Sequence, residues 1–302
     1  MSGLDKPTQF SGSPIIRFWQ RIPVLVRAIV SGAFVEAVGV GVWVLSLAVI
    51  PSPWSVVVMG GILWLYWKYF SGSWWPRSTA EVRRKNFRAV KLSADVWKWG
   101  LVGTLLFVVV FQSATVLTFR LIEFPAEAAA DYGLGALPVW EAWIIIIMGS
   151  LVAGICEETG FRGYMQVPLE KRYGPAVGIT IVSILFTVFH LGQAWAGPIL
   201  FQIFAIGVLF GILAYTSGSL IPSIIGHTIM DTFNFAFWWT DLGGHIEWQT
   251  IAVTGFDPLF ITAVLIFVAS VALFFWVARK TMVVNGQVAQ LPLPRRADGR
   301  MP

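Results

Sequence analysis

The chain has 302 residues, of which 57% are hydrophobic and only 12% charged, and its mean hydropathy is +0.74. An ordinary soluble domain carries roughly 25% charged residues, so the composition excludes a water-soluble globular enzyme, a nucleic-acid-binding domain and a disordered protein. The net charge of +5 takes its meaning from where the basic residues fall relative to a bilayer.

The first 27 residues form a polar arm. A transmembrane helix needs about 20 mostly apolar residues, and about eight such stretches follow at 28–50, 54–70, 99–119, 140–160, 175–193, 197–215, 219–239 and 258–278. The first lacks a small-residue cleavage pattern after it and reads as a retained signal anchor. Pro51 and Pro53 make a tight connection to the second, which exits at Gly72, Pro76 and Ser78. Between the second and third spans lies the most basic segment, with Arg77, Arg83, Arg84, Lys85, Arg88, Lys91 and Lys98. If this loop is cytoplasmic, the N-terminal arm, the 160–174 segment and the C-terminal tail are cytoplasmic too, and Arg120 alone among the basic residues lies outside. Glu123, Glu127, Asp131, Asp241, Glu247 and Asp257 would lie outside with it.

The expected fold is therefore all-α: a polytopic membrane protein with about eight transmembrane helices around a polar intramembrane cavity. Four segments follow: an arm at 1–27, three helices with their loops at 28–139, a core of helices four to seven at 140–239, and a last helix with a basic tail at 240–302. The Trp74–Trp75 and Trp238–Trp239 pairs read as interfacial anchors. Cys156 is the single cysteine, which rules out an intramolecular disulfide and a C-x-x-C site.

Ionisable side chains inside a span cost roughly 2.5–3.5 kcal/mol each on insertion scales, so their positions need a reason. They fall in three clusters: GICEETGFRGY with Glu157, Glu158 and Arg162, FTVFH with Phe186 and His190, and HTIMD with His227 and Asp231. Residues four apart share a helix face, so Glu158 pairs with Arg162 and His227 projects with Asp231, a stripe that Asn234 continues. Glu157 points about 100° away from Glu158 and is free to look elsewhere. His245 falls in an external loop and reads as solvated. Interhelical hydrogen bonds in membranes average about 0.6 kcal/mol; three clusters carry an insertion penalty on the order of 10 kcal/mol, which a site explains better than structural bonding.

Two chemistries fit that set. A glutamate and two histidines, Glu157, His190 and His227, can hold one divalent metal such as zinc with an open water position. Alternatively, a partly desolvated Glu157 deprotonates water without metal, assisted by a histidine, while His227 stabilises the oxyanion. Either route suits hydrolysis of an amide bond in a hydrophobic substrate. There is no H-E-x-x-H, no G-x-S-G and no pair of Y-D with G-x-G-D, which disfavours three other classes of intramembrane protease.

E-E-T-G-F-R at 157–162, F-T-V-F-H at 186–190 and H-T-I-M-D at 227–231 resemble the E-E-x-x-x-R, F-x-x-x-H and H-x-x-x-[N/D] signatures of the CPBP intramembrane proteases. That family includes the type II CAAX prenyl endopeptidases and the Abi proteins of bacteriocin processing or self-immunity. The resemblance spans residues 157–231; the first three spans and the tail carry no recognisable signature. It implies an eight-helix fold with a central cavity, Glu157 as the activating base aided by His190, His227 and Asp231 at the oxyanion or metal side, and Glu158 with Arg162 holding the architecture. The eukaryotic CAAX enzymes carry Asn where this chain has Asp231, and an ionised carboxylate would repel an oxyanion. Asp231 is therefore protonated, orients His227 or helps bind a cation, which tilts the reading slightly towards a metal without deciding it.

Glu36, beside Gly39 and Gly41, reads as a helix contact, Lys68 as snorkelling to the surface, Phe186 as packing below His190, and Gly207 with Gly211 as a small-residue helix contact. Counting along ideal helices leaves His190 several ångströms from the depth of Glu157 and His227, unless the fourth helix breaks near Gly160 and Gly163. The expected function is an intramembrane endopeptidase in a bacterial or archaeal plasma membrane. Its partners would be the lipid bilayer and a hydrophobic or lipid-associated peptide or protein substrate, with no nucleic acid. The alternatives are a non-catalytic immunity or scaffold protein of the same fold and, more weakly, a proton- or cation-coupled transporter.

Overall fold

In the computed structural model, which describes residues 14–88, 91–123, 133–193, 197–240, 242–243 and 249–286, the apolar runs fold as helices and these residues contain no strand. The α-helices are α1 (Pro14–Arg21), α2 (Val24–Val49), α3 (Trp54–Phe70), α4 (Ala80–Phe87), α5 (Ala94–Leu121), α6 (Val139–Val152), α7 (Gln166–Tyr173), α8 (Pro175–Phe189), α9 (Gly197–Ser217), α10 (Ile221–Asn234), α11 (Ile251–Thr254) and α12 (Pro258–Val284). Local chemistry sets the ends. The Ser93 hydroxyl accepts the Val96 N–H at 3.4 Å to cap α5, and the Asp257 carboxylate accepts the Phe260 N–H at 2.9 Å to cap α12. Gly174, at φ +87°, closes α7, and Pro175 then opens α8.

Five helices are long and apolar enough to cross a membrane: α2, α5, the continuous run Val139–Tyr173, α9 and α12. The other three expected spans coincide with shorter helices, α3 of 17 residues, α8 of 15 and α10 of 14, the last continued by a π-helical turn at Phe235–Trp239. At 1.5 Å per residue a 15-residue helix reaches only about 22 Å, short of the roughly 30 Å of hydrocarbon. α3 is bounded by Pro53 and Ser71, α8 by Gly174 and His190, and α10 begins after Gly218 and passes into the π-helical turn at Phe235.

The fourth expected span also differs. Instead of ending at 160, the helix runs on to Tyr173 through two π-helical stretches, Ala153–Glu157 and Thr159–Met165. The residues assigned to a cytoplasmic loop are thus helical, and Arg162, Gln166 and Leu169 are fully buried. The polar side chains pair along the run: Arg162 donates to Glu158 at 2.9 Å and Gln166 to Glu170 at 2.7 Å.

Large apolar side chains such as Val44, Val57, Leu105, Phe201 and Leu265 are exposed on the helix exteriors, a surface that suits lipid and not water. Inside, Phe107, Val110, Phe111, Phe210, Leu213 and Phe274 join α5, α9 and α12. At one end of these helices Arg120 pairs with Asp257 at 2.5 Å. At the other end Trp99 meets Trp276 at 5.5 Å and Asn285 donates to Thr216 O at 3.2 Å. Lys98, Lys171, Arg172, Arg279 and Lys280 belong to that second end. Lys68 is exposed, its ammonium 5.8 Å from the Trp64 ring. Glu127, Asp131, Asp241, His245 and Glu247 lie outside the described residues, as does the tail beyond 286.

Candidate active site

The two π-helical stretches flank Glu158, so the Glu157–Glu158 pair stands where the i→i+4 ladder is interrupted twice. Such bulges are rare and concentrate at functional sites. Because the run continues to Tyr173, Glu157 lies about as far from its end as His190 lies from Pro175 at the start of α8. This removes the depth offset expected from a helix ending at 160: the Nε2 of His190 stands 3.7 Å from Glu157 Oε2.

Three elements bring the side chains together. Glu157, Glu158 and Arg162 come from the bulged run, His190 from the C-terminus of α8, and His227 with Asp231 from α10. The bulged run meets its neighbours backbone to backbone. A Cβ on Gly154 would lie 3.0 Å from Ile224 O and 2.4 Å from Thr228 Oγ1 of α10, and one on Gly160 would lie 2.7 Å from Gly32 O and from Glu36 Cβ of α2. Only glycine permits these approaches. Gly154→Val should therefore push α10 off the run and misplace His227 and Asp231. A displacement on the order of 1 Å costs about 10²-fold in rate, to be read as lost peptidase activity with helix content unchanged by circular dichroism; full activity would contradict the packing argument.

Both imidazoles commit Nδ1 and leave Nε2 facing Glu157. His190 Nδ1 lies 2.7 Å from Phe186 O, its own helix carbonyl, and therefore donates there. His227 Nδ1 lies 3.0 Å from Glu158 Oε1 and donates to that carboxylate. The Nε2 of His227 then stands 3.9 Å from Glu157 Oε2 and 3.6 Å from Asp231 Oδ2. Glu157 Oε2 itself is buried and has no hydrogen-bond partner. The Glu157, His190 and Asp231 side chains retain 14–16% exposure, against 3% or less for Glu158, Arg162 and His227, so the first three line the accessible side and the others support them.

The support is an aromatic and ionic block. Arg162 donates to Glu158 Oε1 at 2.9 Å and to Gly207 O at 3.3 Å, while its guanidinium lies 4.4 Å from the Phe186 ring centre and 4.9 Å from that of Phe210. Phe186 also underlies His190 at 4.2 Å, and Phe210 stacks on His227 at 4.6 Å and 23°. Phe210 was invisible in the sequence. Its neighbour Gly211 belongs to the small-residue contact, where a Cβ on Gly207 or Gly211 would meet Ser183 or Ile179 of α8 at 3.1 or 2.8 Å, but nothing marked the ring between them. Glu36 is half-buried and faces the bulged run across Gly160.

Glu157, His190 and His227 offer the donor chemistry of a zinc site, and each imidazole has the outer hydrogen bond that metal-bound histidines keep. Their spacing does not fit: among the described residues no three His, Cys, Asp or Glu side chains are gathered so as to hold a metal ion. No step below is routed through one.

Comparison with curated proteins gives no match, and neither does comparison with solved structures. Residues 138–233 match the family model described as Rce1-like, type II CAAX prenyl endopeptidase Rce1-like. This stretch, about a third of the chain, contains every ionisable group of the cluster above, from Glu157 to Asp231. The segment 138–233 is therefore similar to the Rce1-like family, consistent with the CPBP family, in a chain whose five membrane-length apolar helices fit an integral membrane protein.

Proposed function

We propose that the chain is an intramembrane endopeptidase that hydrolyses a peptide bond of a hydrophobic or lipid-associated substrate with water activated by Glu157. One observation carries the reading: a buried carboxylate oxygen without a hydrogen-bond partner faces the Nε2 atoms of two histidines from separate helices, at 3.7 and 3.9 Å. Polar atoms at such separations are suited to a bridging water rather than to direct bonding. Glu157 takes a proton as the water oxygen attacks the scissile carbonyl carbon. His227, held through Nδ1 by Glu158, donates from Nε2 to the oxygen on which negative charge develops. His190 Nε2 assists the proton's passage to the leaving amine nitrogen, after which the C–N bond breaks and Glu157 is regenerated. Asp231, beside the same Nε2 of His227, orients that ring and offsets its charge.

The clustering of basic residues at one end of the bundle supports a cytoplasmic location for that end and for both termini. The test is cleavage of a hydrophobic peptide, lipidated near its C-terminus, by protein reconstituted in vesicles, with products identified by mass. The expected result is an internal cut that adds one water across the fragments and proceeds at the same rate after a strong chelator. No fragments from folded protein would favour the non-catalytic reading, and chelator-sensitive cleavage restored by zinc would make Glu157, His190 and His227 metal ligands.

A further inference from the structure

A second polar feature lies away from the peptidase cluster, where the N-terminal half of α2 meets α4 and the end of the Val139–Tyr173 run. It is a cavity of about 470 Å³ whose polar lining comes from Arg27, Ser31, Asn86, Tyr164, Lys171 and Arg172. Three of these are cations and none is an acid. Among the described residues no carboxylate lies within ion-pair distance of Arg27, Lys171 or Arg172. The nearest acid in sequence, Glu170, is taken by Arg88 and by Gln166. The Nε of Arg27 is buried without a hydrogen-bond partner, a donor whose burial is costly until an acceptor reaches it.

The surroundings say what kind of acceptor fits. Val24, Ala28, Val82 and Pro168 give the cavity an apolar side, and Trp19 of α1 closes another edge. α1 carries Arg17 and Arg21 beside Phe18, which is 67% exposed. A short helix with exposed aromatic and basic side chains, leading into a membrane-spanning helix, is suited to the headgroup layer. A ligand with several anionic oxygens on a glycerol or acyl stem would satisfy both kinds of wall, and guanidinium groups bind phosphate oxygens with matched geometry. Basic cavities between membrane helices at the headgroup level suit such lipids.

We propose that this cavity holds the phosphate group of an anionic phospholipid. The site is independent of the peptidase reading, because no residue of the Glu157 cluster lines it. The test is native mass spectrometry of the full-length protein in detergent, titrated with phosphatidylglycerol and separately with phosphatidylcholine. Phosphatidylglycerol should remain bound preferentially, and Lys171→Gln with Arg172→Gln should weaken it about tenfold or more while the melting temperature in lipid-free detergent stays unchanged. Arg27→Gln should weaken it independently, and the Lys171 and Arg172 pair keeps the test decisive if that variant folds poorly. Equal retention of both lipids, or unchanged binding in the folded double variant, would overturn the proposal. Displacement of phosphatidylglycerol by inorganic phosphate alone, lost in the double variant, would assign the site to a soluble phosphate instead. A peptide carboxylate that displaces the lipid and binds more tightly would assign it to substrate.

Discussion

Replacing Arg162 with Ala should destabilise the protein by about 3–5 kcal/mol, the usual cost of leaving one half of a buried ion pair uncompensated. Arg162 and Glu158 are both fully buried. Without the guanidinium, Glu158 keeps only the His227 Nδ1–H as a partner among the bonds to its Oε1. The rings of Phe186 and Phe210 also lose the cation that lies 4.4 and 4.9 Å from them, each contact contributing up to about 2 kcal/mol when desolvated. The expected reading is a melting temperature lowered on the order of 10 °C, followed by tryptophan fluorescence in detergent. Glu158→Gln combined with Arg162→Met removes both charges and fills the space, so it should recover more than half of the loss. An Arg162→Ala variant that melts like the wild type would show that the pair does not hold the site.

Much of this arrangement was legible in the sequence, for a physical reason. A carboxylate, two imidazoles and a second carboxylate are expensive in hydrocarbon, so Glu157, His190, His227 and Asp231 stand out against apolar neighbours, and the spacing of four from His227 to Asp231 puts both on one face. The Glu158–Arg162 contact follows from the same spacing and is present at 2.9 Å. The helical ends were less legible. Hydropathy runs on across His190, whereas the backbone turns there, so α8 comes out shorter than the apolar stretch that contains it, and α10 gives way to a π-helical turn at Phe235 that hydropathy does not mark. The continuation of the fourth helix to Tyr173 was hidden for the opposite reason: the polar residues after 160 read as a cytoplasmic loop, whereas Gln166 pairs with Glu170 and is fully buried. The π-helical stretches leave no residue signature apart from glycines that also serve packing, as Gly154 and Gly160 do. The place of Phe210 against Arg162 and His227 depends on how α9 crosses the bulged run, which no local pattern encodes.

Glu157→Gln should be the most damaging single change to activity. The amide has nearly the shape of the carboxyl group but cannot accept a proton from water at neutral pH. A positioned general base contributes about 10²–10⁴-fold to rate, and among the described residues Glu157 is the only carboxylate whose oxygen faces the Nε2 atoms of both His190 and His227. Stability should change little, because that oxygen has no hydrogen bond to lose. Glu158→Gln, by contrast, should disturb folding along with activity, since its carboxylate holds Arg162 and His227 together. The most direct measurement is therefore the cleavage rate of the lipidated peptide by wild type and Glu157→Gln reconstituted side by side, with melting temperatures taken on the same preparations. The account predicts equal melting and a rate lowered by about 10² or more in the variant; equal melting with turnover retained would contradict it.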